Sequence, residues 1–158
     1  MPGGSWVRIP PCPFFAVKIT NWIAMKVYRL EHSESGQGPY SHNVRYPAGT
    51  VTPEIVDMAI AWSKVKKNLS NAHDFDSDHP CPHDDGMQHL TNYKYGFSSL
   101  KSLAEWFNDG WLERLKPFGF VIKVYSVPDD EVEIGNKQVS FPPEFGNSKT
   151  LENPEFSR

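Results

Sequence analysis

From Lys26 to Glu31 apolar and polar residues alternate, the two-residue period of a half-buried strand. His32 to Gly38 is rich in Ser and Gly and reads as a loop, and Gly38-Pro39-Tyr40 is a rigid turn presenting an aromatic ring. Tyr46 to Val51 reads as extended or irregular. Thr52-Pro53-Glu54 then opens a helix: Thr as N-cap, Pro at the first helical position and an acid in the first turn. Ile55, Met58, Ala59, Trp62 and Val65 recur at helical spacing, so the pattern predicts one buried stripe and a helix running to about Leu69. The polar stretch from Asn71 to Asn92 has no period and is long for a loop in a compact domain, which marks it as functional or mobile.

The second half is predicted to hold more elements. Ser98 or Ser99 caps a second helix, with Leu100, Leu103, Ala104, Trp106 and Phe107 as its apolar stripe. Asp109-Gly110 breaks it, and Trp111 to Leu115 forms a short third helix ending before Pro117. Phe120 to Val127 is a buried central strand. Glu131 to Ile134 and Gln138 to Phe141, separated by Gly135-Asn136-Lys137, form a hairpin. From Asn147 apolar periodicity is lost and a loose tail is expected. The sum is an α+β fold, with a split, mostly antiparallel sheet and two to three helices.

Composition narrows the classes. A chain of 158 residues is one domain with enough surface to bury a core. A net charge of −3 argues against a general nucleic-acid binder, which carries a basic face. Lys64, Lys66 and Lys67 form a basic cluster, expected at the helix end, where lysines meet the negative end of the helix dipole. The two cysteines, Cys12 and Cys81, do not demand a disulfide, so a reducing cytoplasm is the default. No segment is apolar enough to span a bilayer. Residues 1–24 differ in character from the rest. Lys18, Thr20 and Asn21 interrupt their apolar run, which argues against a secretory signal. Val7-Arg8-Ile9-Pro10 can be encoded by GTT-CGA-ATC-CCN, the T-loop sequence of a transfer-RNA gene. The expectation is a non-native or accessory extension over 1–24, read through from such a gene, with Met25 as natural start. A single α+β domain over 25–146 and a loose tail over 147–158 follow it.

The polar loop is the densest cluster of ligand chemistry: His73, Asp74, Asp76, Asp78, His79, Cys81, His83, Asp84, Asp85 and His89. Asp74-x-Asp76-x-Asp78 resembles the opening of a calcium loop with Asp85 at the twelfth position, but the sixth is His79 rather than Gly. His79, Cys81 and His83 have zinc-ligand chemistry, while Pro80 and Pro82 stiffen the segment and there is no second Cys pair at zinc-finger spacing. The expectation is no metal, with His79, Cys81 and His83 as the weak candidates.

Three short segments remain: Tyr28-Arg29, Phe97-Ser98-Ser99, and Gln138-Val139-Ser140-Phe141-Pro142-Pro143. Alone, each has a plain structural reading: an Arg on the solvent face of a strand, a helix N-cap, and a hairpin surface amide. In order and spacing they resemble the arginine–serine–glutamate class of ADP-ribosyltransferases. The resemblance implies NAD as bound substrate, Arg29 on its phosphates, Ser98 and Ser99 on the ribose, and Gln138 on the 2′-hydroxyl. Arg29, Ser98 and Gln138 would be the catalytic set, and Tyr40 and Tyr95 would stack on nicotinamide or adenine. Gly38-Pro39-Tyr40, His79-Pro80-Cys81-Pro82 and Gly96 to Phe107 also resemble segments of uncharacterised phage and prophage proteins.

The pattern departs from the transferase class at its catalytic Glu, here Gln138. An amide keeps the hydrogen bond but loses a charge worth ~4 kcal/mol at about 4 Å and an effective dielectric near 20, roughly a thousandfold in rate. Either Glu133, Glu144 or Asp84 supplies the acid, transferring ADP-ribose to a host target, or the pocket binds nucleotide without turnover. Two rivals stand beside these readings. One is a non-enzymatic phage accessory or inhibitor protein that binds a host protein; the other is a metal-dependent hydrolase using the Asp/His loop.

Overall fold

A computed structural model describes residues 23–45, 49–74, 76–88, 92–152 and 154. The extension expected at 1–24 lies outside them up to residue 22, as do Cys12 and His89. The fold is α+β in one domain, with two three-stranded sheets in which every strand pair is antiparallel. Strand β1 (Ala24–His32) pairs along its whole length with β3 (Phe120–Pro128), which pairs in turn with β6 (Ser148–Thr150). The second sheet orders β2 (Lys94–Gly96), β5 (Val139–Phe141) and β4 (Glu133–Ile134). One bridge between Tyr28 and Phe97, with both hydrogen bonds at 2.8 Å, joins the sheets into the expected split arrangement.

Gly96 makes that junction. A Cβ there would lie 2.7 Å from the Tyr28 carbonyl oxygen and 2.8 Å from Val27 Cγ1. Only a residue without a side chain lets β2 approach β1 so closely.

The first sheet separates two cores because strand residues alternate faces. Leu30 opposes Ile122, and His32 opposes Phe120, on the face covered by helices. There Trp62 and Leu69 of α1 (Pro53–Ala72) meet Leu103 and Trp106 of α2 (Leu100–Trp106) and Leu115 of α3 (Trp111–Leu115). On the other face Val27, Tyr125 and Val127 pack with Val139 and Phe141 of the second sheet.

Helix starts follow the expected chemistry. Thr52 Oγ1 accepts from Ile55 N at 3.2 Å and Ser99 Oγ from Ser102 N at 3.1 Å. Three local readings change. The first helix runs to Ala72, so Lys64, Lys66 and Lys67 lie inside it rather than at its end, and Lys66 Nζ donates to the His42 carbonyl at 3.1 Å. Met58, assigned to the buried stripe, is 51% exposed. Within the expected loose tail, β6 pairs with Lys123, Val124 and Tyr125 through backbone alone, all its side chains being exposed, and Leu151 N donates to the Ile122 carbonyl.

Candidate functional site

A cavity with a volume of about 650 Å³ opens beside β1 and β2 and is also lined by Ser70, His73, Asp74 and residues 79–82. Arg29, Tyr40, Tyr95 and Gln138 all line it; Ser98 and Ser99 do not. Ser98 is exposed, and the Ser99 hydroxyl caps α2 while donating to Ser102 Oγ at 3.0 Å. The Ser99 hydroxyl therefore serves the helix and Ser98 lies off the described lining, so of the expected set Arg29 and Gln138 share the cavity.

Arg29 is not on a solvent face. Its side chain is 12% exposed and its guanidinium bridges three acceptors: Glu31 Oε1 at 3.1 Å, the Tyr95 carbonyl at 2.7 Å and the Gly36 carbonyl at 3.3 Å. Three of its five N–H groups are so engaged, leaving two for anything in the cavity. Glu31 also accepts from the Tyr125 hydroxyl and lies 3.7 Å from Lys94 Nζ. Burial lowers the proton affinity of Arg29 and Lys94, opposed in both by Glu31. Burial also raises Tyr125, reinforced by its bond to Glu31. The Arg29 charge is thus largely committed to a buried network, where removing one partner strands the other.

The opposite wall is aromatic and holds a relay that sequence patterning did not single out. Trp106 Nε1 donates to the Tyr40 hydroxyl at 2.8 Å, and the Tyr40 oxygen is in hydrogen-bond contact with His73 Nδ1. His73 Nε2 is buried without a hydrogen-bond partner. The His73 ring stacks on His79 with centroids 3.7 Å apart. Burial first, and His79 second, push His73 down to about 4. Both His79 nitrogens face acceptors, Nδ1 to Asp76 Oδ1 at 3.0 Å and Nε2 to the Trp106 carbonyl at 2.9 Å. The hydrogen bond from His79 holds the Asp76 carboxyl below its ordinary value. Enclosure of the Tyr40 oxygen raises that phenol, although 40% of the residue is exposed.

Gln138 is fixed by its surroundings. Its Nε2 donates to the Pro80 carbonyl at 3.0 Å and its backbone N to Asp85 Oδ2 at 2.9 Å. Asp85 is 1% exposed and also accepts from Lys137 N at 2.9 and 3.0 Å, so it clamps the β4–β5 turn rather than completing a calcium loop. Among the described residues no group of three or more His, Cys, Asp or Glu could hold a metal ion. His79 is spent on its two acceptors, Cys81 Sγ donates to Asp84 at 3.3 Å, and His83 is exposed in a turn. Glu133, Glu144 and Asp84 are absent from the described lining of the cavity, whereas Asp74 is on it.

Comparison with known proteins adds a family. The model for the family described as Bacteriophage T4 Y00F protein matches residues 25–152. The chain belongs to the Bacteriophage T4 Y00F protein family. A similar protein of Enterobacteria phage T4 bears the description "Uncharacterized 19.7 kDa protein in motB-dexA intergenic region" and is 43% identical over 49 residues. That match spans 31% of this chain and 30% of the relative. No solved structure is significantly similar. The Y00F family match agrees with the phage resemblance of the G-P-Y, H-P-x-P and G-F-x-S segments, and neither description mentions ADP-ribosyl transfer. No helix among the described residues is long and apolar enough to cross a membrane.

Proposed function

We propose that this phage protein binds NAD, or a nucleotide of similar size, in the 650 Å³ cavity and holds it without cleaving the nicotinamide bond. One observation carries the reading: Arg29, Tyr40, Tyr95 and Gln138, far apart in sequence, line one concave surface. The volume suits a cofactor-sized ligand. Tyr40 and Tyr95 bring aromatic surface to the lining, which suits a planar ring, and two N–H groups of Arg29 remain for an anionic oxygen.

The same geometry argues against turnover. Gln138 brings no charge to an oxocarbenium-like ribose, and its amide already donates to Pro80. The test is calorimetric titration of NAD, with Tyr95→Ala as the variant because its loss leaves the Arg29–Glu31 pair intact. Saturable heat that weakens at least tenfold in Tyr95→Ala, with no nicotinamide released on long incubation, is expected. Absence of heat at millimolar NAD would remove the reading; released nicotinamide would restore the transferase expectation.

A further inference from the structure

His73 and residues 79–82 line one side of the 650 Å³ cavity. We propose that the stacked His73–His79 pair is an acid-sensitive latch: while His73 is neutral it holds residues 76–82 against α2, and proton uptake by His73 releases them and opens the cavity. The latch itself needs no ligand; only its effect on NAD affinity rests on the binding reading above.

The two rings lie 3.7 Å apart at an angle of 14°, and each residue is less than a tenth exposed. His73 is the fixed half. It closes α1, its backbone N donating to the Leu69 carbonyl at 2.9 Å. His79 is the half that moves. Its ring meets the edge of Trp106 and its Nε2 lies 2.9 Å from the Trp106 carbonyl, so the hold on α2 passes through this one side chain. Further along, Asp85 is clamped to the β4–β5 turn, so the released piece ends before it.

A charged imidazole carries hydrogen on both nitrogens. At His73 that puts a donor on Nε2, which is sealed from solvent and, among the described residues, has no acceptor. The argument holds whichever nitrogen bears the hydrogen of the neutral ring. Trp106, Phe107 and Trp111 face the ring from α2, its C-cap and α3, and none of them titrates. From the turn at Gly38, Tyr40 meets Nδ1 with an oxygen that already accepts from Trp106. His79 opposes a charge on His73 across the stack. Asp76 favours one, but its Oδ1 is engaged by His79 Nδ1 at 3.0 Å and His79 N at 2.8 Å, and Asp74, next in the chain, is exposed. The carbonyl end of α1 also favours a cation. Burial and His79 outweigh these, which leaves His73 at about 4. Once the segment lifts, water reaches Nε2 and the ring returns to the ordinary value near 6.5. The closed form is therefore fully favoured above 6.5 and loses its advantage as pH falls through 4, the open-to-closed ratio rising by up to about 300-fold.

The test is NMR of the full chain from about pH 7.5 to 4, following the His73 ring signals and the amide exchange of residues 76–82. His73 is expected to titrate well below an ordinary histidine, and residues 76–82 to lose protection over the same pH range while β1 and β3 keep theirs. In His73→Phe, which keeps a ring beside His79 but takes up no proton, the loss should vanish. A His73 midpoint at the ordinary value, protection unchanged through its titration, or simultaneous loss of protection in β1 and β3 would overturn the latch, and the unmutated protein alone decides these. So would a pH-dependent loss that persists in His73→Phe. With NAD added, the dissociation constant should rise as the inverse of the closed fraction. A constant that ignores pH while the segment opens would overturn control of the site. No NAD binding at pH 7.5 would remove the binding reading instead, and the exchange data would still decide the latch.

Discussion

Removing the Asp85 carboxylate should be among the most damaging single changes to this fold, and the structure sets its size. Two backbone N–H groups end on that carboxylate: Lys137 N, shared between both oxygens at 2.9 and 3.0 Å, and Gln138 N at 2.9 Å. Hydrogen bonds to a charged group are worth about 1.5–3 kcal/mol each, so Asp85→Ala forfeits roughly 3–6 kcal/mol gross. Lys137 is an exposed residue with its bond to Asp85 only part-buried, so water can replace that acceptor, and the variant no longer buries a carboxylate, so a net loss of about 2–4 kcal/mol is expected. Urea unfolding followed by tryptophan fluorescence measures it as a lower midpoint at constant slope. Gly135 gives an internal control. A Cβ there would sit 2.4 Å from Asp85 Oδ2 and 2.8 Å from the Asp85 carbonyl oxygen. Gly135→Ala alone should therefore destabilise, and by at least about 1 kcal/mol less in the Asp85→Ala background, where half the clash is gone. A loss below about 0.5 kcal/mol for Asp85→Ala, or strict additivity in the double variant, would refute the clamp.

Three further outcomes are expected. His73 is held down to about 4 by burial and by His79, so its contribution to stability is complete above the unfolded value near 6.5. It is lost as pH falls from there through 4, by at most about 3 kcal/mol, and His73→Gln should remove that part of the slope in urea titrations across this window. Arg29→Ala should cost about 3–5 kcal/mol because Glu31 stays buried with one partner fewer. Arg29→Lys should recover little of this in thermal melts, since one ammonium cannot reach Glu31, Tyr95 and Gly36 together. Ser99→Ala should cost about 1 kcal/mol through the lost N-cap, while NAD affinity by calorimetry stays unchanged.

Elements set by local chemistry were legible in the chain. Thr52-Pro53 and Ser99 begin helices because a hydroxyl accepts the first free N–H groups, and Phe120 to Pro128 is a strand because its apolar side chains serve both cores. What escaped was long-range pairing. β6 leaves no hydrophobic trace because all three of its side chains are exposed and backbone bonds hold it. Asp85 read as the closing acid of a calcium-like loop, yet it is buried through contact with a turn more than fifty residues away. The relay of Tyr40, His73 and Trp106 joins three segments that share no local pattern. A signal was present in the tight run of His, Pro and Asp before Gly96, but hydropathy cannot tell a solvated loop from one folded over an aromatic wall.

The residues that resemble a transferase site show how structural and functional demands select the same side chains. A hydroxyl before a helix is needed to cap it whether or not a ribose is near, and Ser99 is wholly used in that way. An Arg beside Glu31 in a half-buried strand balances charge whether or not a pyrophosphate arrives. Residue type therefore cannot discriminate the two, but unspent capacity on a shared surface can. By that standard Ser98 and Ser99, off the described lining, drop out, while Arg29 keeps two N–H groups and shares the cavity lining with Tyr40 and Tyr95. Under the binding proposal, that remaining capacity supplies donors and aromatic surface for a ligand. A cleaving site would need a carboxylate at the ribose, and Asp74 is the acid on the described lining. If Asp74→Asn left NAD affinity intact, as a ring-and-phosphate grip requires, the binding reading would gain over any catalytic one, because a carboxylate poised at the sugar would contribute to both.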